Sequence, residues 1–359
     1  MSGSNSTDVR SILPGWTRPL LAAAGLFFSA QAAAGTPAEE FGVAPWTEAV
    51  VSVAEFEPAT RLFREAGGWR LTLSGDIARR ELDYWKLPAA VSARFERWCA
   101  PLAETGCIRF VRFAGLAQEP IRPGARAWDT GGIYSVMVRS DDVEALYRHA
   151  LSIGWWAESP PISFRFGQSD LKNVVLQGPH GINLAVYERV SPAFATFPVG
   201  RISQGFNSMR MVKSRPAARD FYRDALGFGV LFDSDREPPE PAFSNFGIPY
   251  NLTPQIARAA AALYPVAGET GRVEVMQIQG FTGRDHSAKA VPPNLGVLSV
   301  RYPVRDLAAY RSRLLAKNAP IPYETDRVPV AGIGTVDLVA VRDPDGNLTE
   351  FYSVQDRAQ

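Results

Sequence analysis

Residues 343–352 have the sequence DPDGNLTEFY, which is typical of a tight turn that leads directly into a β-strand. The proline fixes its own φ angle, the following aspartate can hydrogen-bond to backbone two residues further on, and the glycine accepts the positive φ that closes such a turn. Because side chains alternate along a strand, Glu350 and Tyr352 share one face. The stretch therefore predicts a strand that carries a carboxylate at a fixed position after its turn.

The chain contains an internal duplication that includes this turn. Gly178-Pro179-His180-Gly181 corresponds to residues 343–346, and residues 86–115 correspond to 251–280 at the same offset. A Pro/Glu-rich insertion at 236–241 occurs only in the second copy. Self-similarity at a fixed offset indicates repeated structural units. We therefore expect two related domains, at 45–190 and 204–355, joined by a linker at 191–203 that is rich in proline and glycine.

Each copy contains two segments with the order strand, helix, strands. In each segment an alternating apolar run precedes a stretch with apolar residues at helical spacing. The four strand and helix pairs are 50–54 with 58–67, 133–139 with 141–154, 206–212 with 216–227, and 297–303 with 305–318. The chain is therefore expected to be α+β and to contain four copies of one small module.

The turn at 343–352 and the helix-forming stretch RDFYRDALGFGVLF at 219–232 resemble the βαβββ module of the vicinal oxygen chelate superfamily, which includes glyoxalases, bleomycin-resistance proteins and extradiol dioxygenases. The resemblance implies four βαβββ modules, paired 1 with 2 and 3 with 4, in two glyoxalase-like domains. Each domain would be a curved mixed sheet that forms a cup. It also implies that the second domain is the active half and the first is degenerate, as in two-domain extradiol dioxygenases.

Two further segments, 88–102 and 254–264, have helix-like composition and lie ahead of the last strand in modules 1 and 3. Such a helix could cover the mouth of the cup as a lid. Alternatively, it packs on the outside of the sheet.

The resemblance also places the residues that would hold a metal ion in this superfamily. Aligned by strand, they are Ser208, Ser299, Glu274 and Glu350 in the second half, and Ala49, Ser135, Arg109 and Ala185 in the first. A catalytic metal site typically needs about three His or carboxylate ligands, and a neutral hydroxyl is a poor substitute. We therefore expect no metal cofactor. The alternative is a divalent cation held by Glu274 and Glu350 with water.

The same alignment gives a predicted lining for a cup without metal. Strand alternation places Arg210 with Ser208, and Arg301 with Ser299, and the superfamily register turns both pairs inward. Guanidinium groups suit the capture of carboxylate or phenolate oxygens. Two alternatives stay open. A register slip of one residue would turn the serine and arginine of a strand away from the cup. If they do face the cup, Arg210 could pair with Glu274 and Arg301 with Glu350, so that the charges only neutralise each other.

These residues support three functional hypotheses. In the first, the protein is a metal-independent lyase or isomerase acting on a small aromatic or carboxylated compound. Glu350, with His286 of the connector between modules 3 and 4, would shuttle protons, while Arg210 or Arg301 stabilises an anion. In the second, the protein binds small molecules without turnover, and in the third it is a metal-dependent dioxygenase. An unpaired Glu350 favours catalysis, whereas a Glu350–Arg301 pair favours a binding or structural role.

The remaining features concern location and partners. Arg10 and Arg18, the apolar run at 19–28 and the small residues up to Ala34 predict a signal peptide at 1–34, with export to a periplasm or beyond and no stable membrane insertion afterwards. A retained anchor is the alternative. A net charge of +1 gives no support for nucleic acid binding. Cys99 and Cys107 form either a disulfide or two free thiols, and homodimer formation stays open.

Overall fold

Four βαβββ modules follow one another along the chain, as predicted. The computed structural model describes residues 35–194, 197, 199–235, 238 and 240–355. The predicted signal peptide at 1–34 lies outside these residues. Within the described part of the chain, no helix is long and apolar enough to cross a membrane.

The first half of the chain contains modules 1 and 2, preceded by a short helix, α1 (Pro37–Glu40). Module 1 consists of β1 (Glu48–Ser52), α2 (Phe56–Glu65), β2 (Arg70–Asp76), α3 (Arg79–Tyr84), β3 (Ser92–Cys99) and β4 (Cys107–Ala114). Module 2 consists of β5 (Ile133–Arg139), α4 (Val143–Ser152), β6 (Trp156–Ala157), β7 (Ile162–Phe166), β8 (Ser169–Gln177) and β9 (Asn183–Ser191).

The second half contains modules 3 and 4. Module 3 consists of β10 (Asn207–Met211), α5 (Arg215–Asp220) with a π-helical continuation (Phe221–Ala225), β11 (Gly229–Ser234), β12 (Arg258–Tyr264) and β13 (Arg272–Ile278). Module 4 consists of β14 (Gly296–Pro303), α6 (Leu307–Ala316), β15 (Tyr323–Val330), β16 (Gly334–Arg342) and β17 (Leu348–Val354).

The turn before β17 forms as predicted. Gly346 has a φ of +84° and donates its N–H to the carbonyl of Asp343 at 3.0 Å. The Asp343 carboxylate organises the loop, because its Oδ1 accepts the backbone N–H groups of Asp345 and Asn347 at 3.0 and 2.9 Å. Its Oδ2 accepts the hydroxyl of Tyr222 at 2.9 Å, which ties the turn to the module 3 helix.

The four predicted helices are confirmed as α2, α4, α5 and α6. Three of them begin at a side-chain cap, because Asp142, Ser214 and Asp306 each accept a backbone N–H three residues later. Such a cap satisfies one of the N–H groups that a helix start leaves without an internal partner. The local sequence is therefore sufficient to specify where these helices start.

The helix-like segments 88–102 and 254–264 are in fact mostly strand, as β3 and β12. In β3 the burial alternates from exposed Ser92 to buried Ala93 and from exposed Arg94 to buried Phe95, which is the period of a strand. The helices of these two modules lie just upstream instead. They are α3 in module 1, which packs onto the cluster of its cup, and a 3₁₀ helix at Tyr250–Gln255 in module 3.

The predicted pairing of modules in sequence order is wrong. One sheet has the strand order β15-β16-β17-β14-β1-β4-β3-β2 and unites modules 1 and 4, whereas the other has β11-β12-β13-β10-β5-β9-β8-β6, with β7 beside β8, and unites modules 2 and 3. The modules join through antiparallel first strands, β1 with β14 and β10 with β5. The duplication showed which modules have similar sequences, but sequence similarity does not determine which of them share a sheet.

Each sheet curves around a cluster of buried side chains on its concave face. We call these concave faces the 1+4 cup and the 2+3 cup, after their modules. The outer faces of both sheets pack with the helices into one larger core. The two cups are therefore separate sites, and each lies on the face of its sheet that points away from that core.

Cys99 and Cys107 form a disulfide that joins the end of β3 to the start of β4, eight residues apart. Of the two alternatives that the sequence allowed, the structure has the bonded one. A disulfide stabilises mainly by restricting the unfolded chain, and a loop of this size contributes about 2 kcal/mol.

We expect the double variant Cys99→Ser/Cys107→Ser to lose about 2 kcal/mol of unfolding free energy in urea titrations. The wild type in excess reductant should match the variant. Equal stability of oxidised wild type and variant would contradict a stabilising role for this bond.

Candidate functional site

Arg301 lies at the centre of the 1+4 cup, with only 1% of the residue exposed. Its Nε donates to Glu350 Oε2 at 2.7 Å, its Nη1 to Glu48 Oε1 at 3.2 Å, and its Nη2 to Glu81 Oε1 at 2.8 Å. Burial alone lowers the pKa of Arg301, but the carboxylates of Glu350, Glu81 and Glu48 raise it well above its ordinary value. One guanidinium therefore serves as the shared cation of three buried carboxylates.

The carboxylate of Glu350 has partners on both oxygens. Besides Arg301, Oε2 accepts the hydroxyl of Ser299 at 2.9 Å, and Oε1 accepts the indole N–H of Trp85 at 3.2 Å. Ser299, Arg301, Glu350 and Tyr352 thus share one cup, as the strand alternation predicted. However, Glu350 is held by a salt bridge, which is the arrangement expected of a binding or structural role.

A second guanidinium completes this cluster. Arg109 of β4 is fully buried, and its Nε donates to Glu48 Oε1 at 2.7 Å. Its Nη2 donates to the carbonyl of Ala331 at 2.7 Å, and its Cζ lies 4.3 Å from the ring centroid of Phe95. Arg97, at the edge of the cup, also contacts Glu48 at 3.2 Å. The 1+4 cup is therefore filled by an ionic network of its own side chains.

The sequence did not identify Glu48, Glu81 or Trp85 as members of this cluster. The alignment selected Ala49 in β1, but Glu48 is the residue of that strand that faces the cup beside Arg301. A glutamate at the start of the largely apolar run at 48–53 was the available clue, because an isolated charge there needs a buried partner. Glu81 and Trp85 come from α3, whose place over the cup depends on tertiary packing.

Ser208 and Arg210 do not face either cup, contrary to the prediction. Arg210 Nη1 donates to Ser208 Oγ at 2.8 Å, and Nη2 donates to Thr349 Oγ1 at 3.3 Å, on the side of the helices. The cause is a β-bulge: β14 has one extra residue opposite β1, whereas β10 has none. The equivalent position in β10 is therefore one residue later, at Met209, and a slip of one residue changes the face.

The 2+3 cup has a different lining. The chain has five methionines, and four of them, Met137, Met209, Met211 and Met276, are buried together on this concave face. They lie on the three adjacent strands β5, β10 and β13, where Met211 is the register partner of Met276. Thioether side chains adapt to irregular shapes and make favourable contacts with aromatic rings. The sequence analysis did not detect this cluster, because it depends on the pairing of modules 2 and 3.

Ser135, Met209 and Glu274 form one row across the floor of the 2+3 cup. Met209 is the register partner of both Ser135 in β5 and Glu274 in β13. Neighbouring strands lie ~4.8 Å apart, so the two ends of the row are roughly 10 Å apart. Glu274 thus lies in a different cup from Glu350, and the two cannot hold one cation together.

The mouth of the 2+3 cup is covered by two structural features. Phe246 and Ile248, from the long connection between β11 and β12, pack onto the methionine cluster. In addition, the sheet curls until its two edges meet, because Phe166 of β7 contacts Phe232 of β11 with ring centroids 5.0 Å apart. Apolar side chains of a loop and a contact between two rings therefore close this cup.

His286 lies on the connector between modules 3 and 4, as expected, but it is not among the partners of Glu350. Its Nε2 is 3.6 Å from Asp129 Oδ2, on the neighbouring connector between modules 1 and 2. Burial and then the charge of Arg122 lower the pKa of His286. The structure supports a role for His286 in joining the two connectors.

The residues of the two cups do not fit the metal ion that the fold family implies. In the 1+4 cup, two guanidinium groups, those of Arg109 and Arg301, occupy the space between the carboxylates. In the 2+3 cup, the corresponding positions carry Ser135, Ala185, Met209 and Glu274. Across the residues that the structure describes, no three His, Cys, Asp or Glu side chains are arranged to hold a metal.

Comparisons with known proteins agree with this architecture. A model of the Glyoxalase/Bleomycin resistance protein/Dioxygenase superfamily matches residues 207–351. Glyoxalase I from Zea mays has a similar fold, with a TM-score of 0.57 and 17% identity over 86% of this chain and 92% of the maize chain. A putative dioxygenase from Bacillus subtilis has a TM-score of 0.51 and 11% identity over 87% and 85% of the two chains. No curated protein matches the sequence significantly.

Proposed function

The chain belongs to the vicinal oxygen chelate superfamily, and from this premise we propose that it is a small-molecule binding protein whose ligand occupies the 2+3 cup. The observation that carries the proposal is the placement of the methionines, since all those after Met1 lie on one concave face. Methionine-rich surfaces suit ligands of varied shape, because the side chain is flexible and polarisable.

Aromatic side chains complete this apolar lining. Tyr134 and Phe246 have ring centroids 6.3 Å apart, and Tyr187 and Phe206 have the same separation. Small-molecule sites are mostly apolar and aromatic with a few polar groups that fix orientation. Of the aromatic and carboxylated ligands expected from the sequence, the lining of the 2+3 cup favours a flat aromatic one, because Arg210 and Arg301, the predicted partners of a carboxylate, lie elsewhere.

The 1+4 cup is less suited to a ligand. A general base in that cup would need an accessible carboxylate, but Glu350 is bound by Arg301, Ser299 and Trp85. This arrangement weighs against the lyase or isomerase hypothesis, and the donor sets in both cups weigh against the dioxygenase hypothesis. We assign the 1+4 cup a structural role.

We further propose that the protein is exported to a periplasm or secreted. The predicted signal peptide at 1–34 motivates the proposal, and the Cys99–Cys107 bond supports it, because stable disulfides are typical of oxidising compartments. A binding protein in such a compartment would sequester or carry its ligand outside the cytoplasm.

Methyl NMR of protein labelled at the methionine methyl groups tests the binding proposal. We expect the flat fluorescent probe 1-aminoanthracene to shift at least two of the four internal methyl signals, with one saturation curve. The reason is that these methyl groups line the cup itself. Single Met→Leu variants, which keep the apolar volume, assign the signals.

The 1+4 cup provides an internal comparison, because its buried cluster contains no methionine. A probe that binds there, or on the surface, saturates by fluorescence while the four methyl signals stay in place. That result would contradict the assignment of the ligand site to the 2+3 cup.

A further inference from the structure

Ser135 has a distinctive position in the 2+3 cup. A β-bulge in β5 skips Tyr134, so that Ser135 pairs with Met209 and faces the cup with it. The residue is fully buried, and its Oγ has no hydrogen-bond partner among the described residues. Next to it, the floor of the cup consists of the thioethers of Met137 and Met209.

A buried hydroxyl without a partner is costly, by about 1–3 kcal/mol. Such groups are rare in folded proteins unless they have a function or a missing partner. Because Ser135 points into an apolar cup, a ligand in that cup would supply the partner. A serine hydroxyl both donates and accepts, so a hydroxyl or a carbonyl oxygen would satisfy it.

Other polar groups at the cup have partners within the protein. Asn245 donates to Asn173. The guanidinium group of Arg139 lies 4.0 Å from the ring centroid of Phe206. The hydroxyl of Ser135 is therefore a polar group of the cup floor whose partner a ligand would supply.

Resting on the proposed function, we propose that the ligand is a flat aromatic molecule with one hydroxyl or carbonyl group, which pairs with Ser135. The aromatic faces contact the methionine thioethers, and the single polar group fixes the orientation. Ser135 is thereby the residue that selects among apolar molecules of similar size.

Two probes of one shape test this proposal: naphthalene and 2-naphthol, titrated into the full protein and followed by the methionine methyl signals. One hydrogen bond is worth about a 3- to 10-fold change in Kd. We expect 2-naphthol to bind tighter than naphthalene by that factor. In Ser135→Ala, 2-naphthol and naphthalene should bind equally.

Ser208→Ala is the matched control, because Ser208 is an equally buried serine whose side chain lies on the opposite face of the sheet. This variant should keep the preference for 2-naphthol. If the two probes bind wild type equally, or if Ser135→Ala keeps the preference, the ligand class is wrong while the proposed function stands. If neither probe shifts the methyl signals, both are wrong.

Discussion

Arg301→Met is expected to destabilise the fold by about 3–5 kcal/mol, the largest effect of any single substitution discussed for this protein. Methionine keeps the length and the apolar stem of the side chain but removes the charge. Glu48, Glu81 and Glu350, all essentially fully buried, would then lose their shared cation. Urea unfolding followed by far-UV circular dichroism measures the loss as a lower midpoint.

A surface pair provides the matched control for this substitution. Arg311 binds Glu324 at 2.7 Å, but both side chains are more than 40% exposed. Exposed pairs contribute less than about 1 kcal/mol, so Arg311→Met should have little effect. Adding Glu350→Gln and Glu81→Gln to Arg301→Met removes two of the isolated charges and should restore about 1–2 kcal/mol. If Arg301→Met is as mild as Arg311→Met, the ionic network does not stabilise the 1+4 cup.

Asp345→Asn is expected to change how stability depends on pH. Asp345 is 3% exposed, and its Oδ1 accepts the backbone N–H of Lys213 at 2.9 Å. Burial, together with the nearby charge of Asp343, raises the pKa of Asp345 from 3.8 to about 6. Because the folded pKa is raised, the stabilisation is complete below pH 3.8 and is lost as pH rises through about 6.

The effect is seen as a difference between wild type and variant. From pH 4.5 to pH 7.5, the unfolding free energy of wild type should fall by about 2 kcal/mol relative to that of Asp345→Asn. The complete change, from well below pH 3.8 to well above pH 6, is on the order of 3 kcal/mol. Unfolding titrations at both pH values measure it. The exposed Asp76→Asn, at 87% side-chain exposure, should run parallel to wild type. Parallel behaviour of Asp345→Asn as well would show that Asp345 titrates normally.

The sequence was sufficient for the module and its local elements. The turn at 343–347, the capped helices and the alternating strands are specified by residues within a few positions of one another, such as Asp306 and the N–H of Ala309. The pairing of modules was not predictable in this way. The contact of β1 with β14 depends on which edges meet in the folded chain, and no local pattern encodes it.

The residues of the candidate site also separate into those that local patterns predict and those that depend on strand pairing. Ser299, Arg301, Glu350 and Tyr352 were placed together correctly, because alternation within β14 and β17 fixes their faces. The prediction for Ser208 and Arg210 failed at a single bulged residue, which changes the face without a clear mark in the sequence. The sequence shows only that the chain has five methionines. That four of them form one cluster depends on the pairing of three strands.

The sharing of one sheet by the first and last modules has a consequence for how the chain folds. Glu48 is the register partner of Arg301. The second neighbour of β1 in the sheet, β14, is therefore synthesised only after most of the chain. Modules 2 and 3, by contrast, are consecutive and can close their own sheet earlier. During synthesis, β1 would present an open edge, which is a site of mispairing between chains. Loss of module 4 would leave module 1 incomplete, although it lies at the other end of the sequence.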